Sequence, residues 1–382
     1  MLKVLHIHTR AIVGGSGTNT LLSMAGLPKD RFEAVLACGS EGPLPEEARK
    51  RGLRVAIIPH LKNEINLVND WLAFKEIGTL LKREGFTIVH THNSKAGILG
   101  RVAAKMCKVP IIVHTMHSCV FRYPNLNFLA RRFFYLLEKY AAGITDKIIA
   151  ISDPLKKIFV ENGVAPEDKF ITIYSGIELD KFRVRVDLEQ KRMSLGIEQG
   201  ELVLGVVGRL AEGKGHEFVI QAIPAVVQEI PRVKFIFVGD GPLKTNLEKL
   251  AEGLGVKDKV IFTGERNDIP ELLRVFDVFC LASLYEGMGR VILEAQVAGK
   301  PVIATKIGGI PDVVVENKTA ILVEPKDSSG LADAVIKLLK DENLRRQMSK
   351  AAEEFVDYHF SAQKMVEDII KLYNELLEVK LK

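Results

Sequence analysis

Short apolar runs of strand length alternate with longer helical stretches along nearly the whole chain, and this alternation constrains the fold more than any other feature. In the first half the strand-like runs are residues 4–8, 33–38, 55–59, 87–92, 110–117 and 146–152. Helical stretches such as residues 71–84 and 95–106 separate most of them. Because the runs are apolar and rich in β-branched residues, the pattern predicts a parallel sheet covered by helices on both faces.

The same alternation starts again in the second half of the chain. Its strand-like runs are residues 202–208, 233–239, 259–264, 278–283, 301–305 and 320–324. At 382 residues and 47% hydrophobic content the chain has enough material for two cores. We therefore predict an α/β fold of two Rossmann-like, doubly wound domains facing a cleft. The domains would span residues 1–180 and 181–361, the charged stretch 181–200 would connect them, and ligands would bind beyond the carboxyl ends of the strands.

Composition excludes several classes of protein. No apolar run reaches the roughly 18 residues of a membrane helix, and residues 1–10 alternate like a strand instead of forming a signal peptide, which predicts a cytoplasmic protein. Residues 1–180 carry 24 Lys/Arg against 17 Asp/Glu, whereas residues 181–382 carry 29 against 31. This imbalance argues against nucleic-acid binding and indicates an anionic surface or substrate for the first domain. The scattered cysteines predict neither disulfides nor a zinc site: Cys38, Cys107, Cys119 and Cys280.

Two carboxylates, Glu286 and Glu294, stand eight positions apart around a glycine-flanked turn. Gly287 and Gly289 let the backbone run close to a ligand, and a helix over residues 290–298 would direct its N–H groups into the turn. An anion suits such a turn, and the two acids could hold hydroxyl groups at two ends of one ligand. An arbitrary pair at this spacing is usually a loop acid and a helix surface acid. The surrounding residues instead favour binding of a phosphorylated sugar.

Two cations, Arg209 and Lys214, lie in the loop GRLAEGKGHE after the first strand of the second domain. Gly213 and Gly215 flank Lys214 and allow a ligand to approach closely. Surface cations are common, so the loop alone is ambiguous. Together with the two glutamates it predicts a diphosphate whose charge must be neutralised.

A glycine-rich turn also follows the first strand, in AIVGGSGTN, where Gly14, Gly15 and Gly17 could cradle a phosphate. A dinucleotide fingerprint does not fit, because Thr20 takes the place of its third glycine. The second strand also ends without the acid that binds a ribose. An NAD-dependent dehydrogenase is therefore disfavoured.

Histidines concentrate at strand ends in the first domain: His8, His90, His92, His114 and His117. His90 and His92 share one face of a strand and could in principle bind a metal. No H-E-x-x-H, D-x-D or carboxylate cluster accompanies them, so we expect polar residues that line the cleft and no metal site. His117, just past its strand, is the strongest functional candidate.

These motifs, in this order and spacing, resemble the retaining glycosyltransferases of the GT-B architecture, family 4. The resemblance covers nearly the whole chain and is carried by GRLAEGKG, VGDGP, EGMGRVILEAQVAGKPVIAT and GGIPDVV. HTHNSKAGILGR and HTMHS are most similar to the branch that builds capsular and other surface polysaccharides. One departure is Ser118, where that branch commonly has glycine.

The resemblance implies a nucleotide-diphosphate-sugar donor, UDP-sugar before GDP-sugar, held mainly by the second domain, and no cofactor. Arg209 and Lys214 would pair with the diphosphate, and Glu294 would accept from the ribose hydroxyls. Glu286 would hold the sugar ring, with His117 near the reacting sugar. The remaining donor contacts would come from backbone N–H groups of Gly287, Met288 and Gly289, and the base would stack near Arg266 and Asn267.

The resemblance also implies a mechanism and a domain arrangement. The leaving diphosphate gains charge as the bond to the sugar breaks, and fixed cations stabilise it without a metal. The anomeric configuration is retained, with the departing phosphate serving as the base. In this architecture the last helix crosses back, so residues 362–382 would complete the first domain, which would bind the acceptor. A non-enzymatic two-lobed sugar-binding protein remains the alternative of another class.

One stretch, residues 121–140, is rich in aromatic residues and carries four basic residues against one acid. A helical projection groups an apolar face that would pack on the domain: Leu126, Leu129, Phe133, Leu136, Leu137 and Tyr140. The opposite side would hold Phe128 and Tyr135, flanked by Arg131, Arg132 and Lys139. Aromatic residues ringed by cations suit an anionic headgroup region. We therefore predict docking on the inner membrane face and a lipid-linked acceptor; a solvated helix and a soluble acceptor are the alternatives.

Overall fold

The computed structural model describes residues 1–122 and 126–380, and the chain divides into two compact units. The first unit contains Met1–Gly176 together with the chain from Ala362 onward, and the second contains Ile177–Ser361. The stretch 181–200 was predicted to connect the domains, but it lies inside the second unit. Its charges are used there, because Lys191 forms ion pairs with Asp268 and Glu271.

The first unit is built around a parallel sheet of seven strands in the order β3-β2-β1-β4-β5-β6-β7. The strands are β1 (Leu2–His8), β2 (Phe32–Cys38), β3 (Arg54–Ile57), β4 (Ile88–His92), β5 (Ile111–Met116), β6 (Lys147–Ala150) and β7 (Phe170–Thr172). The helices are α1 (Gly15–Ala25), α2 (Pro43–Lys50), α3 (Leu67–Glu84), α4 (Ser94–Met106), α5 (Phe128–Gly143), α6 (Asp153–Glu161) and α15 (Ala362–Lys380). All six predicted strands are present. The sequence analysis missed β7, whose three residues are too few to show a periodic pattern.

The last helix, α15, belongs to the first unit, as the resemblance implied; residues 381–382 lie outside the described residues. Met365, Ile369 and Tyr373 are among its buried side chains and join one cluster with strand residues such as Val4. The Tyr373 hydroxyl lies 2.6 Å from Nδ1 of His90 on β4. The helix therefore covers the middle of the first sheet.

The second unit repeats the design with six parallel strands in the order β10-β9-β8-β11-β12-β13. The strands are β8 (Leu202–Val207), β9 (Val233–Val238), β10 (Val260–Gly264), β11 (Val278–Leu281), β12 (Val302–Thr305) and β13 (Ala320–Val323). The helices are α7 (Leu179–Phe182), α8 (Leu188–Ser194), α9 (His216–Glu229), α10 (Lys244–Gly253), α11 (Ile269–Val275), α12 (Arg290–Val297), α13 (Ser328–Lys340) and α14 (Glu342–Phe355). The prediction of two Rossmann-like, doubly wound sheets is confirmed.

In each sheet the chain leaves two neighbouring central strands in opposite directions. These pairs are β1 and β4 in the first unit and β8 and β11 in the second. Such a switch point leaves a crevice between the loops beyond the carboxyl ends of the strands, where open α/β sheets bind ligands. None of the described helices is long and apolar enough to cross a bilayer.

Candidate active site

Lys214 and Glu286 meet at the switch point of the second sheet. Lys214 comes from the loop after β8 and Glu286 from the loop after β11, and Lys214 Nζ lies 2.8 Å from Glu286 Oε1. Their side chains are 30% and 19% exposed, so the pair is shielded but can be reached by a ligand. An ammonium group has three N–H donors. One donor can therefore stay on Glu286 while another binds a phosphate oxygen.

Two glycines allow the loops around this pair to pack together. Gly213 has a φ of 82°, and a Cβ there would lie 2.1 Å from the ring of Tyr285. Gly308 has a φ of 48°, and a Cβ there would lie 1.9 Å from the Glu286 carbonyl oxygen. Any larger residue at either position would push the loops apart. The glycines therefore fix the backbone that carries Lys214 and Glu286.

Helix α12 begins at Arg290, four residues after Glu286, so its N-terminus lies at the turn that carries Glu286. Gly289 stands at the N-cap with a φ of 80°, a left-handed conformation that favours glycine, and has no side chain to cap the helix. The side chain of Met288, in the same turn, is buried. The helix was predicted over residues 290–298 and is observed over Arg290–Val297. Its N-terminal dipole favours an anion at the turn.

Glu294 lies on α12 with its side chain 16% exposed, and Arg290 Nη2 lies 3.4 Å from its Oε1. Burial raises the pKa of Glu294, and the Arg290 guanidinium opposes that rise. The sequence analysis missed Arg290. The signal was present, because residues four apart on a helix are neighbours.

The loop after β8 also carries Arg209, whose side chain is exposed. Within the described part of the chain, its guanidinium has no partner. His216 holds this loop, since its Nε2 lies 3.1 Å from the Arg209 carbonyl oxygen. Burial lowers the pKa of His216 to about 4, so the ring is neutral and Nε2 donates. His216 was also missed, although it directly follows the GKG of the motif.

Arg266 and Asn267 follow β10, two strands away from β8 in the same sheet. At about 4.8 Å per strand this is roughly 10 Å along the carboxyl edge. Arg266 donates to both oxygens of Asp268, at 2.8 and 2.6 Å, and this pairing holds the pKa of Asp268 well below its usual range. The pairing fixes the plane of the guanidinium and leaves its flat face suited to stacking.

At the switch point of the first sheet, helix α1 begins at Gly15, with Gly14 at its N-cap. Beyond the neighbouring residues of the same helix, no atom of the described residues lies within 4 Å of the position that a Cβ would take at either glycine. Gly17 instead packs closely on the Ile12 carbonyl. His8 Nε2 lies 3.1 Å from Ser16 Oγ and 2.8 Å from Asn93 Nδ2. Asn93, with a φ of 60°, was missed, although it ends β4 beside the predicted histidines.

Most of the strand-end histidines do not line a surface, contrary to the prediction. His8, His90, His92 and His114 are buried, whereas His117 is half-buried. The error arose because residues at the carboxyl ends of central strands lie under the loops that follow them. His114 and His117 do line a small pocket, together with Asn93 and with Phe134 and Glu138 of α5.

Helix α5 presents the opposite face to that predicted. Four residues of the apolar face that was expected to pack on the domain are exposed, at 51–76%: Leu129, Phe133, Leu136 and Tyr140. Leu126 and Leu137 of that face are half-buried, and Phe128 is exposed as predicted. Glu138, Ala141 and Ala142 are buried instead. Tyr135 is half-buried, and its hydroxyl donates to the Asn162 carbonyl at 2.9 Å. Arg131, Arg132 and Lys139 are exposed as predicted, while residues 123–125 of the predicted stretch lie outside the described residues.

The reason for the inversion is a buried ion pair. Arg101 of α4 is fully buried, and its Nη2 donates to Oε1 of Glu138 at 2.8 Å. Arg101 Nε also donates to the Gly97 carbonyl at 2.8 Å. A buried charge must be paired, so this contact determines which side of α5 turns inward. Two small alanines on that side allow a close approach.

Comparison with known proteins supplies the family. Residues 187–355 match the glycosyl transferases group 1, and residues 13–181 match glycosyltransferase family 4. The chain is 32% identical to the UDP-Gal:alpha-D-GlcNAc-diphosphoundecaprenol alpha-1,3-galactosyltransferase of Escherichia coli, over 98% of this chain and 97% of that protein. It is 28% identical to a capsular polysaccharide biosynthesis glycosyltransferase of Staphylococcus aureus, over 87% of this chain and 88% of the relative.

Solved structures show the same fold. Anabaena HepE in complex with UDP-glucose matches with a TM-score of 0.85 at 22% identity, over 98% of this chain and all of that one. WaaG, a glycosyltransferase involved in lipopolysaccharide biosynthesis, matches with a TM-score of 0.81 at 21% identity, over 97% of this chain and 99% of WaaG. The chain therefore belongs to the group 1, family 4 glycosyltransferases, which have the GT-B fold. It is a glycosyltransferase of a retaining family that uses nucleotide-sugar donors, as predicted.

Proposed function

We propose that this enzyme transfers a sugar from a UDP-sugar to a lipid-linked glycan, with retention and without a metal ion. The observation that carries the proposal is the shielded Lys214–Glu286 pair at the switch point of the second sheet. Two relatives support the choice of UDP: the Escherichia coli relative is named for UDP-Gal, and Anabaena HepE was solved with UDP-glucose.

The donor would lie along the carboxyl edge of the second sheet. Its diphosphate would take the charges of Arg209 and Lys214, with the N-terminus of α12 adding its dipole. Glu294 would accept from the ribose hydroxyls, and Glu286 from the sugar. The base would stack on the flat face of Arg266, beside Asn267, roughly 10 Å along the sheet edge from β8. In the first unit, Gly15 would face a donor phosphate and His117 the reacting sugar.

The positions of these charges would promote transfer of the sugar. The bond between the anomeric carbon and the phosphate oxygen breaks, and negative charge grows on the leaving diphosphate. Fixed cations stabilise that charge most when it is largest, which lowers the barrier. An acceptor hydroxyl forms the new bond on the same face of the sugar. Its proton passes to the departing phosphate oxygen, so no enzyme nucleophile is required.

The acceptor would approach through α5. The exposed apolar face, flanked by Arg131, Arg132 and Lys139, matches an anionic lipid surface in both polarity and charge. Glu138 is the only acid of α5, and Arg101 neutralises it inside the protein. The pocket of His117 is lined in part by Phe134 and Glu138 of the same helix, so a lipid-linked glycan bound at α5 would lie near His117. The Escherichia coli relative is named for a diphosphoundecaprenol-linked acceptor.

A thermal-shift screen tests the donor. At a hundred times its dissociation constant, the right nucleotide sugar stabilises the protein by about 2.7 kcal/mol. We expect UDP and UDP-hexoses to raise the melting temperature and GDP-sugars to leave it unchanged. A rise in melting temperature with GDP-sugars alone would reject UDP as the donor nucleotide. If UDP-hexoses stabilise Lys214→Ala as much as the wild type, the proposed donor site is rejected.

A further inference from the structure

Three imidazoles form a hydrogen-bonded chain that leads from the interior of the first unit to His117. Nδ1 of His6, on β1, lies 3.0 Å from Nε2 of His92, on β4. Nδ1 of His92 lies 3.2 Å from Nε2 of His117, which follows β5. Adjacent rings in this chain are stacked, at 18° and 26° between planes. The three strands β1, β4 and β5 are neighbours in the sheet, so the spacing is set by the sheet itself.

The two inner members of this chain are neutral. His6 and His92 are fully buried. Burial lowers the pKa of His6 to about 3, and it lowers the pKa of His92 well below its usual range. A neutral imidazole has one N–H donor and one acceptor nitrogen. In such a chain, the tautomer of one ring therefore dictates the tautomer of the next.

The buried end of the chain gives it a direction. Nε2 of His6 has no hydrogen-bond partner among the described residues. Orphaned buried N–H donors are rarer in proteins than under-satisfied acceptors, so the proton of His6 belongs on Nδ1. His6 Nδ1–H then donates to His92 Nε2, and His92 Nδ1–H donates to His117 Nε2.

We propose that His6 and His92 are positioning residues that hold His117 in the tautomer with its proton on Nδ1. The ring that the proposed function places near the reacting sugar is then held from behind in one tautomer and one orientation. This inference rests on the proposed function only for the contact with the sugar. The tautomer itself is a property of the first unit alone.

A metal site is the competing interpretation of the same cluster, because nitrogens of His6, His90 and His92 lie within 4.8 Å of one another. Nδ1 of His6 and Nε2 of His92 are 3.0 Å apart and hydrogen-bonded to each other, whereas metal ligands must converge on one ion. Both nitrogens of His90 are also engaged, by the Tyr373 hydroxyl at 2.6 Å and Thr115 Oγ1 at 2.7 Å. The geometry favours hydrogen bonds in series.

The first test is the ring tautomer of His117, read from ¹⁵N chemical shifts of the histidine-labelled full-length protein without substrate. We expect Nδ1–H in the wild type, a mixture in His92→Leu, and Nδ1–H again in His92→Asn. The asparagine amide can replace the lost Nδ1–H donor, which makes it the conservative rescue. His90→Gln is the matched control, because His90 is equally buried on the same strand but lies outside the chain; it should leave the tautomer unchanged.

The second test is kinetic. We expect His92→Leu to lower kcat roughly tenfold, the size of one neutral hydrogen bond, with KM for the donor nearly unchanged. His92→Asn should recover most of kcat, and His90→Gln should stay within about twofold. If His92→Leu does not fold, His6→Leu breaks the same chain one ring further in.

Three results would overturn the inference: an Nε2–H tautomer in wild-type His117, an unchanged tautomer in a folded His92→Leu, or stoichiometric zinc in the purified protein. If His117 of the wild type has its proton on Nδ1 and His92→Leu changes that tautomer without lowering kcat, the catalytic use of the chain is rejected. Because the tautomer is measured without substrate, failure of the proposed transfer reaction would leave that result standing.

Discussion

The two sheets share a topology, yet their switch points carry different chemistry. Between β8 and β11 the second unit places accessible ions, with Lys214 on Glu286 and Arg209 exposed nearby. Between β1 and β4 the first unit places His8 and Asn93, with neutral rings buried below. Half-exposed ions remain hydrated until a ligand replaces the water, whereas groups inside a sheet cannot hold a charge. The same architectural position therefore carries accessible charges in the second unit and uncharged hydrogen-bonding groups in the first.

The largest expected effect lies on the charged side of this comparison. Glu286→Gln and Lys214→Ala should each lower turnover roughly a hundredfold, about 3 kcal/mol, because each removes a charged contact to the transition state. The double variant should lose less than the product of the single losses, since the two residues form one pair. Steady-state rates measure this.

A matched control is Lys306→Ala in the same unit, which breaks the exposed Lys306–Glu316 ion pair. Exposed pairs contribute little, so its rate should stay near wild type. Near-normal turnover in both site variants would remove the charged switch point as the centre of catalysis.

The next effect concerns the first unit, where Arg131, Arg132 and Lys139 are exposed on α5. Arg131→Glu/Arg132→Glu should weaken binding to anionic vesicles roughly thirtyfold, since each lost cation removes about 1 kcal/mol. Liposome flotation with and without anionic lipid measures this. Lys82→Glu/Arg83→Glu, an exposed basic pair at the end of α3, controls for net charge and should float like wild type.

Phe133→Ser/Leu136→Ser separates the possible occupants of the α5 face. Loss of flotation with an unchanged mass in solution supports a lipid surface. A change from dimer to monomer in sedimentation would assign the face to a second copy of the chain. Equal recovery of wild type with and without anionic lipid would favour a soluble acceptor.

A smaller effect sharpens the role of Arg290. Burial already raises the pKa of Glu294, and removing the guanidinium raises it further. Glu294 would then take up a proton at a higher pH as the solution is acidified. In Arg290→Leu, donor affinity should fall as pH falls, starting at a higher pH than in wild type, with about a threefold deficit near pH 6. Calorimetric titration at several pH values measures this; Arg290→Lys should stay near wild type.

The smallest expected effect is that of metal removal. Because Arg209 and Lys214 supply the positive charge, excess chelator after metal stripping should change turnover by less than about twofold. Complete loss that magnesium or manganese restores would show that the carboxylates hold an ion.

Sequence patterns predicted the parts of the molecule that depend on local chemistry. The α/β alternation gave both sheets, and the glycine turns led to loops that the structure does place at the switch point, around Lys214 and Glu286. The inward face of α5 could not be predicted, because it depends on Arg101, which is 37 residues away from Glu138 in the chain. The burial of His90 likewise depends on α15, which pairs Tyr373 with His90 across 283 residues.

Helix α15 also has a consequence for the order in which the protein is made. Residues 177–361 form one continuous unit and can fold as soon as they leave the ribosome. The first unit must wait, since the face of its sheet around His90 is covered by a helix synthesised last. At about 5–20 residues per second, the delay after Gly176 is roughly 10 to 40 s. During that interval the half-finished sheet exposes its apolar surface, so the nascent chain should need chaperone protection there. A released chain that ends at Ser361 should be protease-sensitive in the first unit only.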